Sequence, residues 1–481
     1  MDAEDLRVTF FPPLHHQRRI WVLDILRRER VTEVIDIGCS EGALLASLCQ
    51  PAPWLGPQSL SRIRRPRETD DRELSSLFEN TGLNDGDTPD LHPTRIAGLD
   101  ISSRAIDLAA ECTAPGSGND LYTRWEPLDV DLWLGSLDAI NPAFVGVECI
   151  IATEVIEHLT DDVLAHFAPV ILGVYQPRLL LMTTPSYTFN ARFAAPGARK
   201  PSGYSDPTGR TDRVFRHPDH RFEWTVEEFA QWCKAVARKW EYIVEIESVG
   251  MAQEKDPWGR DRGLGGASQV AAFKRLEDRA SKERRARESQ SVYHSTAGKE
   301  SHELVKTHHY VAHPRAGNPS RWEDISNAIF EKFEQWGEAR LRIEELWFSQ
   351  DISILCGGSI EAMFDAVERE KRLDLHRIAS QRRGNWTVEL IGGVQRREVN
   401  WFDQDSMAEV VEVEEVDMDD EEDTTGLENC LFDSGNHKNW NNDSTPPYSQ
   451  DSTWPQDTEV MNSWGSGNTY DWSMPVEATS G

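Results

Sequence analysis

Val31-Thr32-Glu33-Val34-Ile35-Asp36-Ile37-Gly38-Cys39-Ser40-Glu41-Gly42 opens as a short apolar strand and breaks at Gly38. Past Gly42 the apolar residues fall at Leu44, Leu45 and Leu48, which is helical spacing. Strand, glycine-bearing turn and helix in that order make one half of a nucleotide-binding α/β unit. In such a turn Gly38 and Gly42 let a ligand approach the backbone, and the N-terminus of the following helix faces it.

The elements around this turn extend the same pattern. A helix is readable from Leu14 to Arg28, with Ile20, Val22, Leu23 and Leu26 on its apolar side. Residues 51 to 93 are rich in Pro, Asp, Arg and Gly and read as a surface insertion, after which Arg95 to Ile101 forms a second strand. Leu121 to Trp125 is the candidate third strand, Glu148 to Thr153 the fourth and Leu179 to Thr184 the fifth. A helix covers 162 to 175, and an irregular loop runs from Pro185 to Glu223. Thr225 and Glu228 have capping-box spacing at the start of the next helix, and Tyr242 to Ser248 with Ser268 to Phe273 complete seven strands. The order predicts an α/β fold with a mostly parallel seven-stranded sheet and one antiparallel edge strand.

The turn lacks the full G-x-G-x-x-G of dinucleotide enzymes, and Ser40 stands where many methyltransferase loops carry a glycine. Asp100, ending the second strand, is placed to accept both ribose hydroxyls of an adenosyl ligand. Together the two features favour S-adenosylmethionine, with Asp36, Gly38, Gly42, Asp100 and Thr153 as the cofactor-binding candidates.

Glu154-Val155-Ile156-Glu157-His158 follows the fourth strand directly. On a helix, Glu154 would neighbour both Glu157 and His158, making half of a metal site where ligands bind in open α/β sheets. The run Phe215-Arg216-His217-Pro218-Asp219-His220-Arg221-Phe222-Glu223-Trp224 supplies a further imidazole, from His217 or His220. Two carboxylates with two imidazoles suit Mg²⁺, Mn²⁺ or Co²⁺ better than a structural zinc. Upstream, Phe10-Phe11-Pro12-Pro13-Leu14-His15-His16-Gln17-Arg18 reads as an aromatic and basic lip, able to stack a base and contact a phosphate through Phe10, Pro12, Pro13 and Arg18.

Only 38% of the 481 residues are hydrophobic, so a real core is diluted by other segments. Residues 401 to 481 hold 20 Asp/Glu against one Lys, so much of the net charge of −31 belongs to the tail and does not exclude a polyanionic substrate for the body. The acidic run from Glu409 to Asp423 and the Asn/Ser/Trp-rich remainder predict disorder over 402–481, with Trp440, Trp454, Trp464 and Trp472 as anchors for a partner. Residues 276–401 begin with a charged stretch and regain apolar periodicity, predicting a linker and a helical accessory region without assigned chemistry. Cys39, Cys49, Cys112, Cys149, Cys233, Cys356 and Cys430 form no CxxC pair, which argues for a reducing compartment and against a zinc ribbon. With no membrane-length apolar run and no signal-peptide pattern, the expectation is a soluble cytoplasmic monomer, with Lys282 to Arg287 as a candidate nuclear-localisation run.

With these motifs in order, the chain resembles the Hen-type small-RNA 2′-O-methyltransferases. The likeness runs collinearly from about residue 8 to 275 through the Phe10 to Arg18 run, the turn at Asp36 to Gly42, and Gly98-Leu99-Asp100-Ile101. It continues through Glu154 to Leu159, Thr184-Pro185-Ser186-Tyr187-Thr188-Phe189-Asn190, Asp219 to Thr225, and Gly266 to Phe273. The resemblance implies a class I Rossmann-like methyltransferase domain over 1–275 and S-adenosylmethionine as donor. It also implies the 2′-hydroxyl of the 3′-terminal nucleotide of a small RNA as acceptor. It further implies a metal held by Glu154, Glu157, His158 and His220, which favours His220 over His217, and His158 or His220 assisting proton removal. The adenine-contacting segment, looked for near Tyr122 to Asp129, departs from the family in carrying Trp125-Glu126-Pro127. The chain looks closer to the animal type, which acts on single-stranded guides held by an Argonaute or Piwi protein. The Trp-containing tail is similar in character to Argonaute-docking hooks.

Overall fold

The computed structural model describes residues 6–56, 90–116, 122–197, 203–295, 301–377 and 383–394. All of them lie in one compact unit, Met1–Leu431. Residues 57–89 of the expected insertion, Leu121 of the expected third strand, and the tail at 402–481 fall outside the described residues.

The quoted stretch forms β1 (Glu33–Ile37), followed by the turn and α2 (Ala43–Leu48), with α1 (Leu14–Arg28) before it. The other sheet strands are β2 (Arg95–Asp100), β3 (Leu128–Leu134), β4 (Cys149–Thr153), β5 (Leu179–Pro185), β6 (Tyr242–Val249), β7 (Ser268–Arg275) and β8 (Glu303–Tyr310). Their spatial order is β8-β3-β2-β1-β4-β5-β7-β6, with β3, β2, β1, β4 and β5 all parallel. Strands buried on both faces need apolar residues at successive positions, which is how β1 and β4 read. One face packs Ile35, Ile37, Ile150 and Met182 against Phe167, Phe229 and Trp240. The other packs Val34, Ile96, Val130 and Ile151 against Val22 and Leu26 of α1, Leu45 of α2 and Ile106 of α3 (Ser103–Cys112).

Three elements differ from the sequence expectation. The third strand is Leu128–Leu134, not Leu121 to Trp125; Leu128, Val130 and Leu132 are buried while Asp129 and Asp131 between them face outward, and the aspartates mask the strand in a sequence reading. The antiparallel strand β7 is not at the edge but lies between β5 and β6. An eighth strand, β8, pairs antiparallel to β3 and comes from beyond residue 275. It reads as polar because the inward-facing residues at its end are His308, bonded to Ala110 O at 2.9 Å, and Tyr310, whose hydroxyl donates to Thr113 O at 2.8 Å.

The helix expected at 162 to 175 is α4 (Asp161–Ala168) continued by a π-helix, Pro169–Tyr175. The capping box of Thr225 and Glu228 opens α5 (Val226–Trp240) as predicted. The long loop before it contains a 3₁₀ segment, Thr188–Phe193, and a small hairpin of Tyr204–Ser205 with Val214–Phe215. Beyond β8, helices and a three-stranded antiparallel sheet (Arg340–Arg342, Thr387–Leu390, Leu373–His376) enclose a separate core of Ile329, Phe333, Leu346, Met363 and Val367. This accessory module is therefore α plus β rather than purely helical. No helix among the described residues is long and apolar enough to cross a membrane.

Candidate metal centre and cofactor turn

The C-terminal ends of β1, β2 and β4 meet at the turn. Gly38, Ser40 and Gly42 all take left-handed backbone conformations, with φ of +68°, +48° and +82°. Space forbids a side chain at two of them: a Cβ on Gly38 would stand 2.7 Å from Val155 Cγ2, and one on Gly42 2.9 Å from Ala109 Cα. Asp100 holds the turn, accepting from Ser40 N–H and Ser102 N–H, both at 2.9 Å. Asp36 is buried at the end of β1, and its Oδ1 has no hydrogen-bond partner. Burial, and then the Asp100 charge, push its pKa from 3.8 to about 8. A buried acceptor without a donor beside a backbone cradle fits a polar ligand with donors, as an amino-acid or ribose group has. Thr153 is half-buried at the end of β4. Because β3 is displaced, Trp125-Glu126-Pro127 precedes it at the opposite end of the sheet from the turn. The segment that reaches the cofactor side is Leu134-Gly135-Ser136, where Gly135 N–H donates to Asp100 O at 2.9 Å.

The helix expected at Glu154 to His158 is a single 3₁₀ turn, Ile156–His158, and Glu154 ahead of it is strained at φ +55°. The kink separates the four expected ligands. Ligand atoms of Glu157, His158 and His220 all lie within 4.8 Å of one another, and Glu154 stands outside that cluster. Its carboxylate instead receives Thr183 Oγ1 at 2.7 Å and pairs with Arg18 Nη2 at 2.7 Å. Burial raises the pKa of Glu154, opposed chiefly by Arg18. Glu157 is fully buried; Thr184 Oγ1 donates to its Oε2 at 3.0 Å, while Oε1 has no partner. Burial, and next the Glu154 charge, push its pKa well above the carboxylate range. Such a carboxylate is either protonated or neutralised by a cation. A carboxylate with an unpartnered oxygen, clustered with two imidazoles, fits a divalent ion with mixed oxygen and nitrogen ligands.

His220 is buried, and Glu223 Oε1 lies 2.7 Å from its Nδ1, which leaves Nε2 to act as the ligand atom. Glu223, itself 1% exposed, is held by Asn190 Nδ2 and Arg216 N–H at 2.5 and 3.2 Å. His158 reaches the surface with Nδ1 3.3 Å from Asp219 O; burial of its inner edge, then His220, hold its pKa below the usual imidazole range. His217 is exposed and outside the cluster. Sequence reasoning gave no role to Glu223, Asn190, Thr183 or Thr184, although Thr184, Asn190 and Glu223 all fall within the motifs that carry the resemblance.

Of the lip, Phe10 packs its ring 5.9 Å from Phe189, Pro12 O accepts from Gln17 Nε2 at 2.7 Å, and Pro13 starts α1. Arg18 points into the site rather than outward, bridging Glu154 and Ser268 Oγ at 2.8 Å.

The turn, the acidic strand end and the mostly parallel sheet define a class I, Rossmann-like methyltransferase fold. No protein-family model matches the chain. A small RNA 2′-O-methyltransferase of Schizosaccharomyces pombe is 28% identical over 248 residues, covering 51% of this chain and 55% of that protein. Those of Xenopus tropicalis and Arabidopsis thaliana are 29% identical over 286 residues (59% and 61% covered) and 27% over 275 (56% and 24%). The crystal structure of small RNA methyltransferase HEN1 superposes with a TM-score of 0.41 at 24% identity, over 64% of this chain and 29% of that one. The likeness to the Hen-type family read from the motifs is borne out by the relatives found by sequence, although the chain spans little more than half the length of the first two.

Proposed function

We propose that this chain transfers a methyl group from S-adenosylmethionine to the 2′-hydroxyl of the 3′-terminal nucleotide of a small RNA, protecting that end. The observation that carries the reading is the convergence of Glu157, His158 and His220 beside the cofactor turn, with Glu157 Oε1 unpartnered. Those three residues would hold Mg²⁺, Mn²⁺ or Co²⁺, with Glu154 joining only if it leaves Arg18. A bound divalent ion supplies charge that acidifies ribose hydroxyls and fixes them in line with the donor methyl. Glu223 fixes the ring of His220, and Arg18 pairs with Glu154 beside it. As the O–C bond forms, the sulfonium S–CH3 bond of the donor breaks, S-adenosylhomocysteine leaves and the hydroxyl gives up its proton; His158 or His220 would take that proton only through a ring nitrogen not engaged as a metal ligand. Only a 3′-terminal ribose presents adjacent 2′- and 3′-hydroxyls, which gives the site its preference for an end.

Methyl transfer to RNA ending in ribose or in 2′-deoxyribose, each with and without divalent metal, tests this. We expect transfer only to the ribose end with metal present; equal transfer to both, or transfer unaffected by chelator, would overturn it. The tail beyond residue 424 is proposed as a tether to an Argonaute-family protein, and unchanged binding after deletion of 424–481 would remove that role.

A further inference from the structure

Two chain segments leave the site side by side. Arg18 and Ser268 both contact Glu154, and the residues preceding each of them run together. Gln253 N–H donates to Thr9 O at 3.0 Å, Thr9 N–H to Glu254 Oε2 at 2.9 Å, and Gly250 N–H to Gln17 Oε1 at 3.2 Å. Between these contacts lie Phe11 on one segment and Met251 on the other.

The second segment is firmly anchored from within. Arg192 is 1% exposed and donates Nε to Asp261 Oδ1 at 3.2 Å and Nη2 to Glu254 O, while buried Asp256 accepts from Arg260 Nη2 at 2.8 Å. None of this anchoring uses the outward side chains. Phe11 is 78% exposed, Met251 51% and Trp258 46%, and Arg260 lies 4.9 Å over the Trp258 ring. Lys255 and Arg262 are exposed on the second segment, with no carboxylate ion pair among the described residues, while exposed Arg7 on the first lies in the field of the Glu254 carboxylate. In a chain of net charge −31, exposed cations on the same segments as large exposed apolar side chains, leading out of the site, match a polyanion that has flat hydrophobic faces.

We propose that this face binds single-stranded RNA just upstream of its 3′ terminus. Bases lie against Trp258 and Phe11, and phosphates against Lys255 and Arg262. The assignment rests on the reading of the adjacent site as an RNA 3′-end methyltransferase, and it adds the residues that would grip the strand behind the reacting nucleotide.

The experiment is fluorescence anisotropy of end-labelled single-stranded RNA with the full chain, at several salt concentrations, on Trp258→Ala, Trp258→Phe and the double variant Lys255→Ala/Arg262→Ala. Trp258→Ala should weaken binding about tenfold, and Trp258→Phe should restore most of it. The double variant should flatten the dependence of log affinity on log salt by about one to two units. Melting temperatures equal to wild type show that the variants are folded. RNA affinity and salt slope both unchanged would overturn the proposal. So would unchanged RNA affinity together with lost capture of an RNA-loaded protein, which would assign the face to a protein partner. Binding is read without methyl transfer, so a wild-type chain that binds RNA here but fails to methylate it would sink the proposed activity and leave this surface standing.

Discussion

Glu157 carries the tension of the site, because a fully buried carboxylate with one oxygen unpartnered leaves a desolvation cost of about 1–3 kcal/mol that only a proton or a cation offsets. Its neighbours are arranged for the cation. Glu223 fixes His220 from behind, so Glu223→Gln should weaken Mn²⁺ binding about tenfold or more, measured by electron paramagnetic resonance titration. Unaltered Mn²⁺ affinity would remove Glu223 from the site. Asp36 makes a different prediction, about stability. Its folded pKa of about 8 stands above its ordinary 3.8, so between those values the folded state binds more protons than the unfolded one. Its contribution is therefore least costly at low pH, and stability is lost as pH rises toward 8. Asp36→Asn should raise the melting temperature of the ligand-free protein, with a gain larger at pH 8 than near pH 5 by on the order of a few kcal/mol. A gain that does not change with pH would show that Asp36 ionises normally.

Elements differ in how openly the sequence declares them. The strand, turn and helix around Gly38 are legible because burial on both faces of β1 demands apolar residues at successive positions, interrupted only by Asp36 beside the ligand turn, and the tight turn demands glycine. The capping box of α5 is legible because both of its hydrogen bonds are local. The turn at Glu154 is not, since ligand types three and four residues apart read as one face of an α-helix, whereas Glu154 takes φ +55° with its N–H bonded to Thr183 O and Oγ1 across the sheet. Likewise β8 hides because its inward residues are a histidine and a tyrosine bonded to distant carbonyls, not aliphatic side chains. Its worth can be measured. Tyr310 is 7% exposed, donates to Thr113 O and lies under Arg124 at 4.3 Å, so Tyr310→Ala should cost about 3 kcal/mol in urea unfolding. A loss below about 1 kcal/mol would mean that β8 is only loosely joined to the sheet.

At the scale of the whole molecule, the accessory module joins the sheet at the end away from the site. Trp125 and Trp347 both donate their indole N–H to Pro53 O, at 3.1 and 2.7 Å, and Leu55 N–H donates to Gly358 O at 2.9 Å. On the sheet side, Trp125 immediately precedes β3, whereas the site lies at the opposite ends of the parallel strands, roughly 20 Å away along the strand direction. The module has its own core, so its coupling to the sheet runs through this joint. Gly358 is the tightest point: its φ is +77°, and a Cβ there would stand 2.4 Å from the Trp125 ring. Gly358→Val therefore strains the backbone and pushes against the Trp125 indole, a cost of about 2–4 kcal/mol that should lower the melting temperature by several degrees. Methyl transfer measured well below that temperature should stay within about twofold of wild type, because no site residue touches the joint. A rate that collapses while the melting temperature holds would show instead that the module acts on the site across the sheet.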